Sequence, residues 1–193
     1  MSFRNQVLEI FAQKNILKHG NFITKSGRRT SFFINMGEFN SGKTLSLLAK
    51  LYAEQIVRNY GASIQNIFGP SYKGISLAVS VSYELSRMTG KDVSFTFDRK
   101  EVKDHGERGM LVGYQYKGGE RVVIVEDILT SGMSLRQSCA LLRKLQIDLK
   151  GAVVGVDRGE PGQIMQSAKN EMEKEYSLPI HALFHIDELK NIS

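Results

Sequence analysis

Residues 121–137 read RVVIVEDILTSGMSLRQ, and this stretch decides the fold. The apolar run from Val122 to Val125 has no polar alternation, the pattern of a strand buried on both faces, as parallel sheets require. A strand over Arg121–Val125 is expected, delivering two adjacent carboxylates, Glu126 and Asp127, at its carboxyl end. Thr130-Ser131-Gly132-Met133-Ser134 then turns into a helix expected from about Ser134 to Leu145. The first N–H groups of a helix lack internal partners and carry the positive end of its dipole. With Gly132 permitting close backbone approach and hydroxyls around it, such a turn suits a phosphate. Acidic neighbours fit if that phosphate belongs to a sugar. Carboxylates accept hydrogen bonds from ribose hydroxyls, and they help bind a divalent cation, usually through water for magnesium. Taken alone, T-S-G-x-S also suits an ordinary helix cap.

On either side, strands and helices alternate. Asn66–Phe68 reads as a strand, Gly69-Pro70 as a turn, and Gly74–Met88 as a helix. Val93–Phe97 is a strand, followed by a polar segment from Asp98 to about Gly109. Downstream, Ala152–Val156 and Ile180–Phe184 are strands, with a helical stretch around Ile164–Tyr176 between them. This order predicts an α/β fold, a mostly parallel central sheet flanked by helices. Ligands of such sheets sit at the carboxyl ends of the strands. Near the N-terminus, Phe3, Val7, Ile10, Phe11 and Leu17 are close to helical spacing, with Ser2 as N-cap and Gly20 as the stop. Ser31–Met36 is a short strand, and Leu45, Leu48, Leu51, Tyr52 and Ile56 mark a helix ending near Gly61. With no repeat or Pro-rich linker, residues 1–193 are expected to form one domain.

Composition narrows the classes. A hydrophobic fraction of 41% and a charged fraction of 24% are those of an ordinary globular protein. No apolar run is long enough to span a bilayer, and the polar-punctuated N-terminus does not read as a signal peptide. The lone Cys139 excludes an internal disulfide framework and suits a reducing compartment, so the cytoplasm is expected. The net charge of +6 is dispersed, with local concentrations at Lys25–Arg29 and Arg99–Arg108 and no dense basic tail. That favours a polyphosphate ligand over nucleic acid, and neither nucleic acid nor membrane is expected as a partner. Cys139 and the methionines are expected in the core. His19, His181 and His185 have no metal-ligand spacing.

Apolar strand, Glu-Asp, two apolar residues and T-S-G-x-S together resemble the phosphoribosyl pyrophosphate (PRPP) motif of type I phosphoribosyltransferases. Along nearly its whole length the chain is similar to the orotate branch. Phe22-x-x-Lys25-Ser26-Gly27-Arg28, Phe32-Phe33-Ile34-Asn35 and Gly37-x-Phe39-Asn40 resemble that family's N-terminal base-binding region. Phe68-Gly69-Pro70-Ser71-Tyr72-Lys73-Gly74 resembles its F-G-P-A-Y-K-G pyrophosphate loop. Arg99-Lys100-Glu101-x-Lys103-Asp104-His105-Gly106 resembles its catalytic loop, and Asp157-Arg158 with Glu160 sits where the family has D-R-Q-E.

The resemblance implies the type I phosphoribosyltransferase fold with a small N-terminal base-binding hood, residues 1–40, and orotate and PRPP as substrates. It implies PRPP contacts from Lys25, Tyr72, Lys73, Arg99, Lys100, Lys103 and His105. The loop Glu126, Asp127, Ile128, Leu129, Thr130, Ser131, Gly132, Met133 and Ser134 joins them. Phe33, Ile34, Thr130 and Arg158 are implied for orotate, and Lys73, Lys103, Asp104 and His105 for catalysis. Mg²⁺ is the implied cofactor, carried by PRPP with Asp127 reaching it through water. A homodimer is implied, its catalytic loop shared between subunits. Three departures stand out: Ile34 where relatives have a second aromatic residue, Gly159 in place of Gln, and a chain ending at Ser193 where relatives continue with further helix. The chemistry is expected to be intact.

Overall fold

The computed structural model describes residues 2–23, 27, 29–101, 110–164 and 166–190. Helix α1 (Phe3–Gln13) is capped by Ser2, whose side chain accepts from Asn5 N, and buries Val7, Ile10 and Phe11. It stops six residues before the expected His19. Asn15 takes a left-handed φ of 48°, a conformation that Asn tolerates at helix ends. Leu17 opens strand β1 (Leu17–Ile23). Its seven-residue offset from Ile10 only mimicked a helical repeat. β1 pairs antiparallel with β2 (Arg29–Ile34), and the pairing shifts register between His19 and Phe22, so Gly20 lies at a strand irregularity and stops no helix. This hairpin forms a two-stranded sheet apart from the central one.

Helix α2 (Gly42–Tyr60) begins with a capping box, Ser41 and Thr44 each accepting from the other's backbone N–H. It leads to β3 (Asn66–Gly69), α3 (Lys73–Thr89), β4 (Ser94–Asp98) and β5 (Leu111–Gly113). Then come β6 (Arg121–Leu129), α4 (Met133–Leu142), β7 (Asp148–Asp157), α5 (Ala168–Tyr176), β8 (Ile180–His185) and the short α6 (Ile186–Leu189). The central sheet has the order β5-β4-β3-β6-β7-β8. All neighbours are parallel except the edge strand β5, which runs antiparallel to β4 and lies in the stretch the sequence left unassigned. The α/β architecture therefore stands as expected.

The unbroken apolar run has a direct explanation. On β6, Val123 and Val125 enter the core layer built with α1, α2 and α3, while Val122 and Ile124 enter the layer built with α4 and α5. All four are fully buried. Each such side chain contributes roughly 1.5–3 kcal/mol on burial, and a polar residue at any of them would remove it. Cys139 is buried as expected. The methionines divide. Met36 and Met172 are core residues, but Met88, Met110 and Met133 are exposed, so a flexible apolar side chain did not here imply burial. Helix α5 starts at Ala168, four residues later than expected, because Ser167 accepts from Asn170 N and supplies the cap.

The turn from β3 into α3 depends on two glycines in backbone contact. A Cβ added at Gly69 would lie 2.6 Å from the carbonyl carbon of Gly74, and one at Gly74 would lie 2.7 Å from that of Gly69. Gly69→Ala is therefore expected to lower unfolding free energy by about 1–3 kcal/mol, the usual cost of overpacking. An unchanged urea midpoint would refute the close approach.

Candidate active site

Strand β6 is longer than expected and runs through Leu129. Glu126 and Asp127 thus lie within the strand, Glu126 opposite Val154 of β7, and not beyond its end. Pairing with β7 carries the strand past the two carboxylates, which apolar patterning alone does not reveal. Tyr52 on α2 donates to the main-chain oxygen of Glu126 at 2.7 Å. Gly155 leaves room for that contact, since a Cβ there would lie 2.6 Å from both Tyr52 Oη and Asp127 O.

After Thr130 and Ser131, Gly132 forms the N-cap of α4 at φ 78°, and no side chain caps the helix. The hydroxyl side chains of T-S-G-x-S therefore do not cap the helix, and Gly132 itself occupies the N-cap. Thr130, Met133 and Ser134 are exposed. Ser134 turns its hydroxyl back to Glu126 Oε2 at 2.6 Å, away from the amides of the first turn. Those amides keep their dipole and their open valence.

The acidic pair is buried, Glu126 at 7% and Asp127 at 9% exposure. Burial, with the adjacent Asp127 carboxylate, pushes Glu126 up to about 8, against the opposing hydrogen bond from Ser134. Asp127 Oδ1 accepts from Ile128 N, whereas its buried Oδ2 accepts no hydrogen bond. The Lys73 ammonium stands 3.2 Å from that oxygen, as an ion pair without hydrogen-bond alignment. Lys73 opens α3, where the helix dipole disfavours a cation by roughly 0.3–1 kcal/mol. Asp127 offsets that penalty and keeps the ammonium at the strand ends. Beside the two lies a cavity of about 370 Å³, lined also by Met36, Phe39, Leu45 and Leu77.

Ser71 connects this turn to β4. Its N–H donates to Asp98 Oδ1 at 2.6 Å and its hydroxyl to Asp98 O, and the Ser71–Tyr72 peptide is cis. Tyr72 is exposed. Asp98 immediately precedes Arg99 and Lys100, and Arg99 N donates to Met110 O at 2.7 Å. Sequence reasoning missed Asp98 because a lone carboxylate at a strand end carries no motif. Lys25, Lys103, Asp104 and His105 lie outside the described residues.

Arg158 belongs to the same end of the sheet, its N–H donating to Leu129 O at 3.2 Å beside Thr130. It is only 8% exposed and so is no surface arginine. Its Nε meets Glu160 at 2.6 Å, its Nη2 donates to Thr30 at 3.3 Å, and its guanidinium lies 4.4 Å over the Phe32 ring. Thr30 and Phe32 thereby tie the hairpin to the sheet. Gly159 has φ 62°, a turn conformation that explains glycine at this departure. Phe33 is 43% exposed and packs near Phe22. Ile34 is only 2% exposed and its side chain joins the core. Successive strand residues face opposite ways, so the expectation that both side chains line one pocket is corrected for Ile34.

Among the described residues, no His/Cys/Asp/Glu group of three or more could hold a metal by itself, and no helix is long and apolar enough to cross a membrane.

A family model described as the phosphoribosyl transferase domain matches residues 36–176. The orotate phosphoribosyltransferase of Clostridium acetobutylicum is 40% identical over 188 residues, covering 97% of this chain and 84% of the relative. The one from Nitrosococcus oceani is 39% identical with the same coverage of 97% and 84%. The crystal structure of the Francisella tularensis orotate phosphoribosyltransferase matches at a TM-score of 0.79 and 29% identity, over 96% of this chain and 88% of that one. The adenine phosphoribosyltransferase of Saccharomyces cerevisiae, at 16% identity and a TM-score of 0.65 over 94% and 98% of the two chains, shares the fold alone. An uncapped helix start, a buried Glu-Asp strand end and relatives matched over nearly the whole chain converge: this protein belongs to the orotate phosphoribosyltransferase family.

Proposed function

We propose that this chain transfers the 5-phosphoribosyl group of PRPP to orotate, giving orotidine 5′-monophosphate and pyrophosphate on the route to UMP. The observation that carries this reading is the helix start at Gly132, free of side-chain caps and set beside the Glu126–Asp127 pair. In this reading the main chain and hydroxyls from Ile128 to Ser134 hold the 5′-phosphate. Glu126 and Asp127 orient the ribose hydroxyls. Burial and the neighbouring Asp127 favour the protonated form of Glu126, which would let it donate as well as accept. Glycosyl transfer develops positive charge on the ribose and negative charge on the leaving group. Lys73, Tyr72, Arg99 and Lys100, with Lys25 and Lys103, meet the pyrophosphate, and Asp104 or His105 shuttles a proton. Orotate lies between Phe33 and the Thr130–Arg158 corner, where a planar guanidinium suits its carboxylate. Asp127 Oδ2, a hard oxygen with no hydrogen bond, fits Mg²⁺ held with PRPP through water, and that ion would supply positive charge to the departing pyrophosphate.

The whole chain acts as one domain, placed in the cytoplasm, and as a homodimer whose 99–109 segment serves the neighbouring site. Supporting the dimer, Val79 and Tyr83 leave exposed apolar surface on α3, lining a cavity that also touches Phe95 and Tyr114.

Orotate absorbance should fall only with PRPP and Mg²⁺ both present. Turnover of a purine base with orotate untouched would reassign the substrate. Lys103→Ala should lower kcat by roughly 10²-fold or more, the scale of one lost electrostatic stabiliser. Mixing it with Asp127→Asn should restore partial activity; no recovery after verified subunit exchange counts against the shared site. The raised pKa of Glu126 sets a third expectation. The unfolded chain gives up this proton near 4.5 and the folded one near 8, so stability from this group is full at acid pH and is lost as pH rises to about 8. Glu126→Gln has no such proton, so its Tm relative to wild type should climb by on the order of a few degrees between pH 5 and pH 8. Parallel Tm profiles would show that Glu126 ionises normally.

A further inference from the structure

Helix α5 touches both ends of the proposed site. Gly132, at the start of α4, rests on it: an added Cβ would lie 3.2 Å from Met172 Cγ and 3.8 Å from Ala168 Cβ. Glu171, on the same face, is 4% exposed and reaches in two directions. Its Oε2 accepts from Gln163 N at 2.6 Å and its Oε1 from Ile164 N at 2.8 Å, in the segment that follows Arg158. Oε2 also accepts from Arg136 Nη2 at 3.0 Å, and Arg136 N is bonded to Gly132 O at 2.9 Å, one turn into the phosphate-loop helix. Gly162 makes room for the carboxylate, since a Cβ there would lie 2.8 Å from Oε1. Ala168 N donates to Glu160 O, closing the segment onto α5.

A buried carboxylate here needs a reason. Burial acts to raise the Glu171 pKa, but hydrogen bonds from Gln163 and Ile164 and the charge of Arg136 outweigh it and hold the group below the ordinary range. Glu171 therefore stays ionised, and Arg136, paired also with Glu175, keeps a buried Nε that has no hydrogen-bond partner. Apolar residues could join two helices with less desolvation. A buried ion pair is a poor choice for stability and a good one for fixing a single relative placement.

We infer that Glu171 is a positioning residue that sets the phosphate loop and the Arg158 turn in one fixed relation, so that the phosphate end and the base end of the site depend on the same carboxylate. This rests on the proposed reading of the site. In Glu171→Gln, both KM values should rise roughly tenfold, the scale of one charge-assisted hydrogen bond, with kcat within about threefold of wild type. Amide exchange should quicken at residues 133–136 as well as at 163–164. Arg136→Met, which lies on the phosphate-loop helix, should raise the KM for orotate, and it should add little when combined with Glu171→Gln. If Glu171→Gln does not fold, Arg136→Met alone decides by the same orotate KM. A lowered Tm with both KM values unchanged, or faster exchange confined to 163–164, would overturn the inference. Wild type assayed alongside separates the cases: no orotate turnover removes the proposed activity, while the exchange pattern still tests the linkage.

Discussion

The structure depends on a strand that is apolar on both faces and ends in polar main chain. Val122 to Val125 lock β6 between two helical layers, and this rigid support carries Glu126, Asp127 and the turn into α4 to one edge of the sheet. The amides that open α4 cannot be satisfied within the helix, and no side chain is spent on them. Such a position suits an anion. The tight β3–α3 turn, the Asp98 anchor and the Arg158 corner all converge on the same edge because each follows a parallel strand.

Charge is distributed there against the usual local preferences. A lysine stands at the positive end of a helix, a glutamic acid is buried where ionisation is costly, and an aspartate keeps an oxygen free of hydrogen bonds. Each arrangement is locally unfavourable, and together they offset one another only in part: Lys73 pairs with Asp127, and Ser134 donates to Glu126. In the proposed reading, a charged sugar phosphate and a divalent ion would complete this residual polarity. The same logic separates Arg158 from a surface arginine, since its stacking on Phe32 and its bond to Thr30 hold the hairpin against the sheet.

Departures from the family pattern have local causes. Gly159 occupies a left-handed turn where a side chain is disfavoured, and its N–H donates to Asp157. Ile34 faces the core by strand alternation, so an apolar aliphatic side chain there is a packing choice, and Phe33 alone presents a ring outward. Ser71, where the family has alanine, adds a hydroxyl bond to Asp98.

The sequence by itself determined the architecture and marked the turn after β6 as the candidate anion site. Periodicity reports burial on one or two faces, and a Glu-Asp pair between a buried strand and T-S-G-x-S is a more specific signal than the turn alone. It misjudged what rests on pairing between distant segments. Helix α1 was overextended because Leu17 matched a helical repeat by coincidence. Strand β6 was cut short because its last residues are held by β7, and β5 was missed because three residues against an edge have no period. Tyr52, Asp98, Thr30 and Glu171 carry no motif. Only tertiary structure brings a tyrosine on α2 to a carbonyl on β6, or a glutamate on α5 to an arginine on α4, because those contacts join residues that chain order keeps far apart.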